Sequence, residues 1–248
     1  SEINALVKNG YQEVVLTGIH TGNYGVDLDT NFATLLKELV KIEGLKRLRI
    51  SSIEITELTD EVLEVLKTSP IIVDHLHIPL QAGSDEILKA MNRKYDLSYF
   101  FEKIKKIREI RPNISITTDV IVGFPGETTE LFEQTIKTCR DLEFAKIHVF
   151  PYSERQGTKA MELPNHIESN EKKRRARELL LVSKELEITY ANKFLNKQVE
   201  VLIEEDKDGY SYGHTSNYLH VKINKKLKHN TFVTVTITKV DYPYCLAK

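Results

Sequence analysis

The chain has 248 residues, enough for one large domain or for a large and a small one. With 41% hydrophobic and 29% charged residues and a formal net charge of −1, it has the composition of a globular protein without an overall steering field. No apolar run approaches the roughly 20 residues that span a bilayer, so we expect no membrane partner. Two isolated cysteines, Cys139 and Cys245, indicate a reducing, cytoplasmic setting and argue against a disulfide framework.

Strands and helices alternate over the N-terminal part of the chain. The strands are predicted at 13–18, 47–53, 73–80, 114–122 and 146–151, and the helices at 32–42, 60–67, 85–92, 97–110 and 129–142. Strands separated by helices indicate βαβ units and a parallel sheet. Because no Gly-x-Gly-x-x-Gly follows the first strand, a dinucleotide-binding fold lacks its fingerprint. The pattern therefore favours an open α/β barrel over a doubly wound sheet.

The segment 115–127 is the most informative stretch of the sequence. A β-branched run with Asp119 continues into an apolar triplet and a Gly-Phe-Pro-Gly turn, after which Glu127, Thr128 or Thr129 can cap a helix. In a parallel α/β protein this is the carboxyl end of a strand, where ligands bind. The segment predicts a ligand site. The alternative is a β–α turn that needs its glycines only for backbone geometry.

One long helix is predicted over 169–195. Its first turns carry the basic residues Lys172, Lys173, Arg174, Arg175 and Arg177. Cations at a helix N-terminus oppose the macrodipole unless acidic groups lie nearby. The simpler interpretation is a solvated helix face, and the alternative is a contact with a phosphate backbone.

A different pattern begins at Gln198, where alternation with period two replaces helical periodicity. Turn signals fall at Asp208-Gly209, at 225–230 and at Pro243, which predicts a small antiparallel β-barrel. The chain is therefore divided into two predicted domains, 1–192 and 193–248.

Aromatic residues are interleaved with lysines and histidines in this terminal segment, and the stretch 210–218 alone contains three tyrosines and His214. Aromatic side chains beside lysines on a small barrel are what stacking on single-stranded nucleic acid requires. For 210–218 we predict a surface role, whereas Phe232 is predicted to belong to the core.

Several ordered motifs resemble one family. In chain order they are Val15-Leu16-Thr17-Gly18, Ser51-Ser52-Ile53-Glu54, His75 to Asp85, Met91-Asn92-Arg93, Asp119 to Glu127 and Phe150-Pro151-Tyr152-Ser153. Together they closely resemble the radical S-adenosylmethionine (SAM) domain of the methylthiotransferases. The run Tyr212 to Tyr218 resembles the TRAM RNA-binding domain that these enzymes carry. The resemblance implies an α/β fold: a truncated open (βα) radical-SAM barrel with parallel strands, followed by a small antiparallel β-barrel.

The loop 17–25 looks like that of the members that act on threonylcarbamoyladenosine in tRNA. Members that act on isopentenyladenosine or on a ribosomal protein usually have other residues there, and both remain alternatives. His20, in the loop after the first strand, is a better candidate for the substrate side than for a metal, and Arg155 is also expected on the substrate side. Two departures, Glu154 and Gln156, stand where the family usually has prolines, and they affect the expected shape of the loop around Arg155.

The family's cluster-binding segments are not in this sequence. The family holds one [4Fe–4S] cluster by a Cys-x-x-x-Cys-x-x-Cys loop, and a preceding domain holds a second cluster. Two isolated cysteines supply neither set of thiolates. We therefore expect a fragment of a longer enzyme, inactive alone and with no metal ligands of its own, whose parent carries two [4Fe–4S] clusters.

The resemblance also implies an activity for the parent. Sulfur is inserted, and a methyl group added, at C2 of the modified adenosine next to the anticodon. One S-adenosylmethionine is cleaved to a 5′-deoxyadenosyl radical, and another provides the methyl group. The implied partners are the anticodon stem-loop of tRNA and donors of electrons and sulfur.

The resemblance assigns roles to individual residues. Backbone at Thr17 and Gly18, with Glu54, suits the cofactor's ammonium group, and Arg93 suits its carboxylate. The remaining cofactor contacts are Gln81 and Asp119 for the ribose hydroxyls and backbone at Gly123 for adenine. The RNA-binding residues are Tyr212, His214, Tyr218, Lys222 and Lys225. As alternatives, Arg93 is a helix-end cation and Glu54 a capping residue.

His75 and His77 lie two residues apart on one predicted strand face. A His-x-His pair without a third ligand is weak support for a metal site, so we favour a packed polar layer inside the α/β barrel. Two other functional classes also stay open. The barrel could be a scaffold for an RNA-binding module, or an unrelated α/β-barrel enzyme that uses Asp119 or Glu54 as an acid or base.

Overall fold

The computed structural model describes residues 1–248, and the chain forms two compact units. The first unit contains Ser1–His77, Ile107–Ser115 and Ile188–Lys248, and the second contains Ile78–Lys106 and Ile116–Glu187. The helices are α1 (Glu2–Lys8), α2 (Phe32–Leu39), α3 (Asp60–Thr68), α4 (Asp85–Ala90), α5 (Leu97–Ile110), α6 (Thr129–Asp141) and α7 (Ser169–Asn192). The strands are β1 (Glu13–Leu16), β2 (Arg47–Ile50), β3 (His75–His77), β4 (Ser115–Val122), β5 (Lys146–Pro151), β6 (Gln198–Lys207), β7 (Tyr210–Thr215), β8 (His220–Ile223), β9 (Phe232–Asp241) and β10 (Tyr244–Ala247). None of these helices has both the length and the apolar character needed to cross a bilayer.

In the first unit, β1 and β2 form a parallel pair. The register runs from Glu13 opposite Arg47 to Leu16 opposite Ile50, and every residue of β2 is buried. On its other edge, β2 bonds to the chain before β3, since Leu48 N donates to Ile71 O at 2.9 Å. Side-chain caps begin both covering helices, from Asn31 for α2 and from Thr59 for α3. The predicted βαβ pattern is confirmed here.

In the second unit, β4 and β5 are parallel, from Thr117 opposite Lys146 to Val122 opposite Pro151. The predicted strand 73–80 is shorter in the structure, where its strand ends at His77. The chain beyond it still runs beside β4, because Ile78 N donates to Thr117 O at 2.9 Å. The regular pattern stops because Pro79 has no N–H to donate.

The C-terminal strands form a closed barrel in the order β10-β8-β7-β6-β9. The prediction of an antiparallel barrel is correct for four of its neighbouring pairs and wrong for one, since β8 and β10 are parallel. A cis peptide bond joins Tyr242 to Pro243 in the connection between β9 and β10.

The barrel is fixed within the first unit by a buried arginine of β2. Arg47 donates to His214 O at 3.0 Å and to Glu200 O at 2.9 Å, and its guanidinium lies 4.6 Å from the centre of the Phe232 ring. Burial lowers the pKa of Arg47, opposed by the carboxylates of Glu13 and Glu200. The Phe232 ring is therefore half-buried beside a cation, and the prediction that it belongs to the core is wrong.

Candidate functional site

Three predicted cofactor residues of the second unit lie close together. Gln81 N donates to Asp119 O at 2.8 Å, and Ile121 N donates to Gln81 O at 2.8 Å, so the two predicted ribose ligands occupy adjacent strand positions. Both side chains are half-buried. Gln81 has a φ of +68°, which few non-glycine residues adopt. Gly123 follows β4 directly, so all three lie toward the carboxyl end of this strand.

Arg93 lies just beyond the C-terminus of α4. Its backbone N donates to Leu88 O at 2.9 Å, and its side chain is half-buried. A cation at this end of a helix complements the macrodipole. This position agrees with the alternative of a helix-end cation, and the predicted contact with the cofactor's carboxylate stays a prediction.

The turn after β4 is stabilised by a buried carboxylate. Glu127 is fully buried and accepts hydrogen bonds from Gly123 N at 2.6 Å and from Arg175 Nη1 at 2.8 Å. Burial raises the pKa of Glu127, although both donors oppose the shift. Of the three candidate caps, Thr128 caps α6 through a bond from Leu131 N at 3.3 Å. Glu127 therefore closes the turn, and this role was missed in the sequence.

Gly123 is required by both conformation and space. Its φ is +73°, and a Cβ there would lie 2.5 Å from Lys172 Cγ. Gly123 is buried, and the Lys172 side chain occupies the space on the side of the turn that faces α7. This packing agrees with the alternative that the glycine is needed for backbone geometry, and the predicted ligand contact stays a prediction.

The basic start of α7 has two kinds of residue. Lys173, Arg174 and Arg177 are exposed, as predicted for a solvated face, and Arg174 pairs with Glu171 and Glu178 at 2.8 and 2.6 Å. The solvated-face prediction is wrong for Arg175, which is buried and bonds to Glu127. Hydrogen bonds from both arginines lower the pKa of Glu171 to about 2.

The predicted ammonium ligands belong to the first unit. Thr17 and Gly18 are exposed and follow β1, whose Leu16 O accepts from Ser51 N at 2.9 Å. Glu54 is half-buried and is the N-cap of a short 3-10 turn, Ile55–Glu57, with a capping box. The alternative of a capping role for Glu54 is therefore confirmed, and its cofactor role stays a prediction.

The two predicted substrate-side residues are both exposed. His20 lies in the first unit, with Nδ1 3.7 Å from Glu57 Oε1. Arg155 lies in the second unit, next to Glu154, whose carboxylate pairs with His166 at 3.2 Å and with Lys172 at 3.7 Å. Because proline has no charged side chain, the Glu154 departure gives this loop ion pairs that the usual family residue does not provide.

Aromatic rings form a continuous stack on the outer face of the barrel. Tyr218 lies between His214 and His75, with centroid separations of 4.6 and 4.8 Å, and the guanidinium of Arg49 lies 4.6 Å from its ring centre. His214 stacks on its other side against His220 at 4.6 Å. His75 thus packs against the ring of Tyr218 in the terminal segment, and the predicted polar layer inside the α/β barrel stays a prediction. No group of three potential metal ligands occurs in the chain.

The strand alternation places the predicted RNA-binding residues on the outside of the barrel. Tyr212, His214 and Lys222 are half-buried and alternate with buried neighbours, whereas Lys225 is exposed in the loop after β8. Lys222 Nζ lies 4.0 Å from the centre of the Tyr210 ring. The ring faces of His214 are covered by its neighbours, so a base can reach its edge but cannot stack on it. His220 and Tyr244 extend the surface and were not predicted as RNA-binding residues.

The two cysteines do not fit an iron–sulfur cluster. Cys139 lies on α6 in the second unit and Cys245 on β10 in the first, and both are buried. Burial raises the pKa of Cys139 to about 12, which opposes the thiolate form that ligates iron.

The comparisons with known proteins give the family. The model of the radical SAM superfamily matches residues 1–139. The chain belongs to this superfamily. Its fold also resembles that of coproporphyrinogen III oxidase HemN from Escherichia coli, with a TM-score of 0.55 and 20% identity over 71% of this chain and 40% of that one. At this identity, the likeness shows the fold alone.

Two curated relatives are similar over most of the chain. The threonylcarbamoyladenosine tRNA methylthiotransferase MtaB of Bacillus subtilis is 44% identical over 96% of this chain and 55% of its own length. The tRNA-2-methylthio-N6-dimethylallyladenosine synthase of Endomicrobium trichonymphae is 41% identical over 88% of this chain and 52% of its own. The chain spans about half the length of the curated relatives it matches.

Proposed function

We propose that this chain is part of a radical SAM methylthiotransferase that modifies N6-threonylcarbamoyladenosine next to the anticodon of tRNA. The observation that carries the proposal is the 44% identity with the Bacillus subtilis MtaB over 96% of this chain. The loop 17–25 supports the same substrate because its residues resemble those of the members that act on threonylcarbamoyladenosine. The protein is proposed to work in the cytoplasm with separate donors of electrons and sulfur.

The second unit has groups that fit S-adenosylmethionine. When bound, the cofactor supplies a methyl group and a 5′-deoxyadenosyl group. Gln81 and Asp119, held on adjacent strand positions, are proposed to bind the ribose hydroxyls, and backbone at Gly123 the adenine. A carboxylate that accepts two vicinal hydroxyls fixes the sugar's orientation. Arg93 is the proposed partner of the cofactor's carboxylate.

The first-unit residues Thr17, Gly18 and Glu54 are proposed to contact the cofactor's ammonium group. A carboxylate and backbone carbonyls are suitable acceptors for its three donors. Because Glu54 already caps a 3-10 turn, its carboxylate is held by that turn. Cofactor binding would then cost little additional side-chain entropy at Glu54.

For the terminal barrel we propose a TRAM-type role in RNA binding. Tyr212, His214 and Tyr218 present aromatic edges and one half-exposed ring on its outer face, beside the ammonium group of Lys222. Aromatic groups beside a cation suit the bases and phosphates of a single-stranded loop. Lys225, in the next loop, is a further proposed phosphate contact.

A second candidate substrate is isopentenyladenosine, favoured by the 41% identity with the Endomicrobium trichonymphae synthase. Nucleoside analysis of tRNA from cells that lack the gene for this chain separates the two. We expect the methylthio form of threonylcarbamoyladenosine to disappear and that of isopentenyladenosine to persist, and both to return on complementation. Loss of the methylthio form of isopentenyladenosine alone would show that isopentenyladenosine is the substrate. If neither methylthio form is lost, both candidate substrates are wrong.

A further inference from the structure

The carboxylate of Glu57 joins two loops of the first unit. Its Oε2 atom accepts hydrogen bonds from Gly22 N at 3.2 Å and from Glu54 N at 3.1 Å, and its Oε1 atom lies 3.7 Å from His20 Nδ1. The Glu57 side chain is 9% exposed, whereas that of His20 is 59% exposed. Gly22 packs so closely that a Cβ there would overlap the side chain of Glu57. The buried carboxylate of Glu57 therefore holds the loop after β1 in place.

The same loop lines a cavity of about 350 Å³, within the usual size range of ligand pockets. Its polar lining comes from Thr17, His20, Thr21, Asn23 and Asp27, and its apolar lining includes Tyr24, Leu28 and Phe32. The hydroxyl of Thr21 is buried and has no hydrogen-bond partner. A buried hydroxyl without a partner is costly, so this lining residue has an unused donor and acceptor beside the cavity.

We propose that Glu57 is a positioning residue for this cavity, and that the cavity receives the polar N6 substituent of the modified adenosine. This proposal rests on the proposed function and deepens it by naming the subsite. Glu57 holds the 20–23 loop so that the His20 ring and the Thr21 hydroxyl are presented to the ligand. The two residues contact the ligand, and Glu57 acts through them.

The lining is mostly apolar, and its few polar groups are what would distinguish a polar substituent from an isoprenoid one. A threonylcarbamoyl group provides a urea, a hydroxyl and a carboxylate, which can bond with Thr21, Asn23 and His20. An isopentenyl group has no such atoms and would leave the Thr21 hydroxyl unsatisfied. A site that hydrogen-bonds its ligand rejects an analogue that lacks the bonding groups more strongly than an apolar site does. The negative charge of Asp27 repels the carboxylate of the threonylcarbamoyl group. We therefore expect that carboxylate to lie nearer to His20.

The test measures binding of two free nucleosides, N6-threonylcarbamoyladenosine and N6-isopentenyladenosine, to the full chain by NMR titration. The variants are Glu57→Ala, Glu57→Gln and the control Glu64→Gln, which removes an exposed carboxylate from α3. We expect the first nucleoside to shift the signals of 20–23 and to bind at least about tenfold more tightly than the second. Glu57→Ala should remove that preference, Glu57→Gln should restore part of it because the amide oxygen still accepts from a backbone N–H, and the control should behave as wild type.

Two results would overturn the proposal. One is a folded Glu57→Ala chain with unchanged signals at 20–23 and an unchanged preference. The other is a wild-type chain that binds neither nucleoside or prefers the isopentenyl form. If Glu57→Ala fails to fold, Gly22→Ala gives the same test, since its methyl group displaces the loop while the carboxylate stays. If the chain keeps its preference for N6-threonylcarbamoyladenosine but the deletion strain loses no methylthio nucleoside from its tRNA, the proposed function is wrong and the proposed cavity is not.

Discussion

Arg175 and Glu127 form a buried ion pair in the second unit, with Arg175 Nη1 2.8 Å from Glu127 Oε2. The same guanidinium nitrogen also donates to the backbone carbonyl of Glu127 at 2.7 Å. Glu127 in turn bonds to Gly123 N, so the first turns of α7 are connected through one carboxylate to the turn that ends β4. This turn contains the proposed contact for adenine, and its geometry depends on residues far along the chain.

Replacing Arg175 by alanine should therefore be strongly destabilising. Removing one partner of a buried pair leaves an uncompensated charge, at a cost of about 3–5 kcal/mol. Urea unfolding followed by circular dichroism measures this, because the chain has no tryptophan for fluorescence. Arg174→Ala is the matched control: Arg174 is exposed, so its loss should destabilise the protein far less than the loss of Arg175. Equal losses for the two variants would contradict the structural role of Arg175.

The raised pKa of Glu127 predicts a particular pH dependence. In the folded state its pKa lies above the ordinary value of 4.5, because burial disfavours the carboxylate. Between the unfolded and folded pKa values, the folded state binds more protons, so stability falls as the pH rises. The free energy of unfolding should therefore decrease above pH 4.5 more in the wild type than in Glu127→Gln. Parallel curves for the two proteins would show that this group makes no contribution.

Gly123→Ala should destabilise the protein more than Gly126→Ala. Both glycines have a positive φ, +73° and +85°, which costs a residue with a Cβ about 1–2 kcal/mol. At Gly123 the added methyl group would also collide with Lys172, whereas nothing lies within 4 Å of a Cβ at Gly126. Thermal unfolding of the two variants isolates the steric contribution. A larger loss for Gly126→Ala would contradict the observed packing.

Lys222→Ala should weaken RNA binding and reduce its salt dependence. If Lys222 neutralises one phosphate, the slope of log affinity against log salt should decrease in magnitude by about 0.7–0.9. Fluorescence anisotropy of a labelled anticodon stem-loop with the full chain gives both quantities. The control is Lys239→Ala, an exposed lysine of β9 that pairs with Asp241 at 2.7 Å. Identical slopes for wild type and Lys222→Ala would exclude a phosphate contact.

Asp119→Ala should weaken S-adenosylmethionine binding by about 1–3 kcal/mol, the usual cost of leaving buried polar partners unpaired. The measurement is calorimetry on the parent enzyme with its clusters restored. Asp141→Ala, an exposed carboxylate at the end of α6, should bind as the wild type does. Unchanged affinity in Asp119→Ala would remove this residue from the cofactor site.

Local sequence patterns predicted the elements well. The predicted bounds of α5 and β5 are confirmed at 97–110 and 146–151, since helical periodicity and a β-branched run are properties of neighbouring residues. Alternation along β8 does not by itself reveal which face of the strand points outward. The structure resolves it, with Val221 buried and His220 and Lys222 half-buried on the outer face.

Long-range pairs were not predictable in the same way. Arg47 is separated by 167 residues from the carbonyl of His214, and Arg175 by 48 residues from Glu127. From the sequence alone, both arginines would be expected at the surface, because arginine is rarely buried unless its charge is paired. Burial depends on a partner that only the tertiary fold supplies. The role of Glu57 is of the same kind, since its bond to Gly22 spans 35 residues.

The division of the chain also has a consequence for biosynthesis. The second unit ends at Glu187, whereas the first unit draws on residues up to Lys248 as well as on Ser1–His77. During translation, all residues of the second unit therefore exist before β6 to β10 have been made. Until those strands arrive, Arg47 has none of its barrel partners. The first unit thus stays incomplete until the barrel has been synthesised. During that time it is more exposed to aggregation than the second unit.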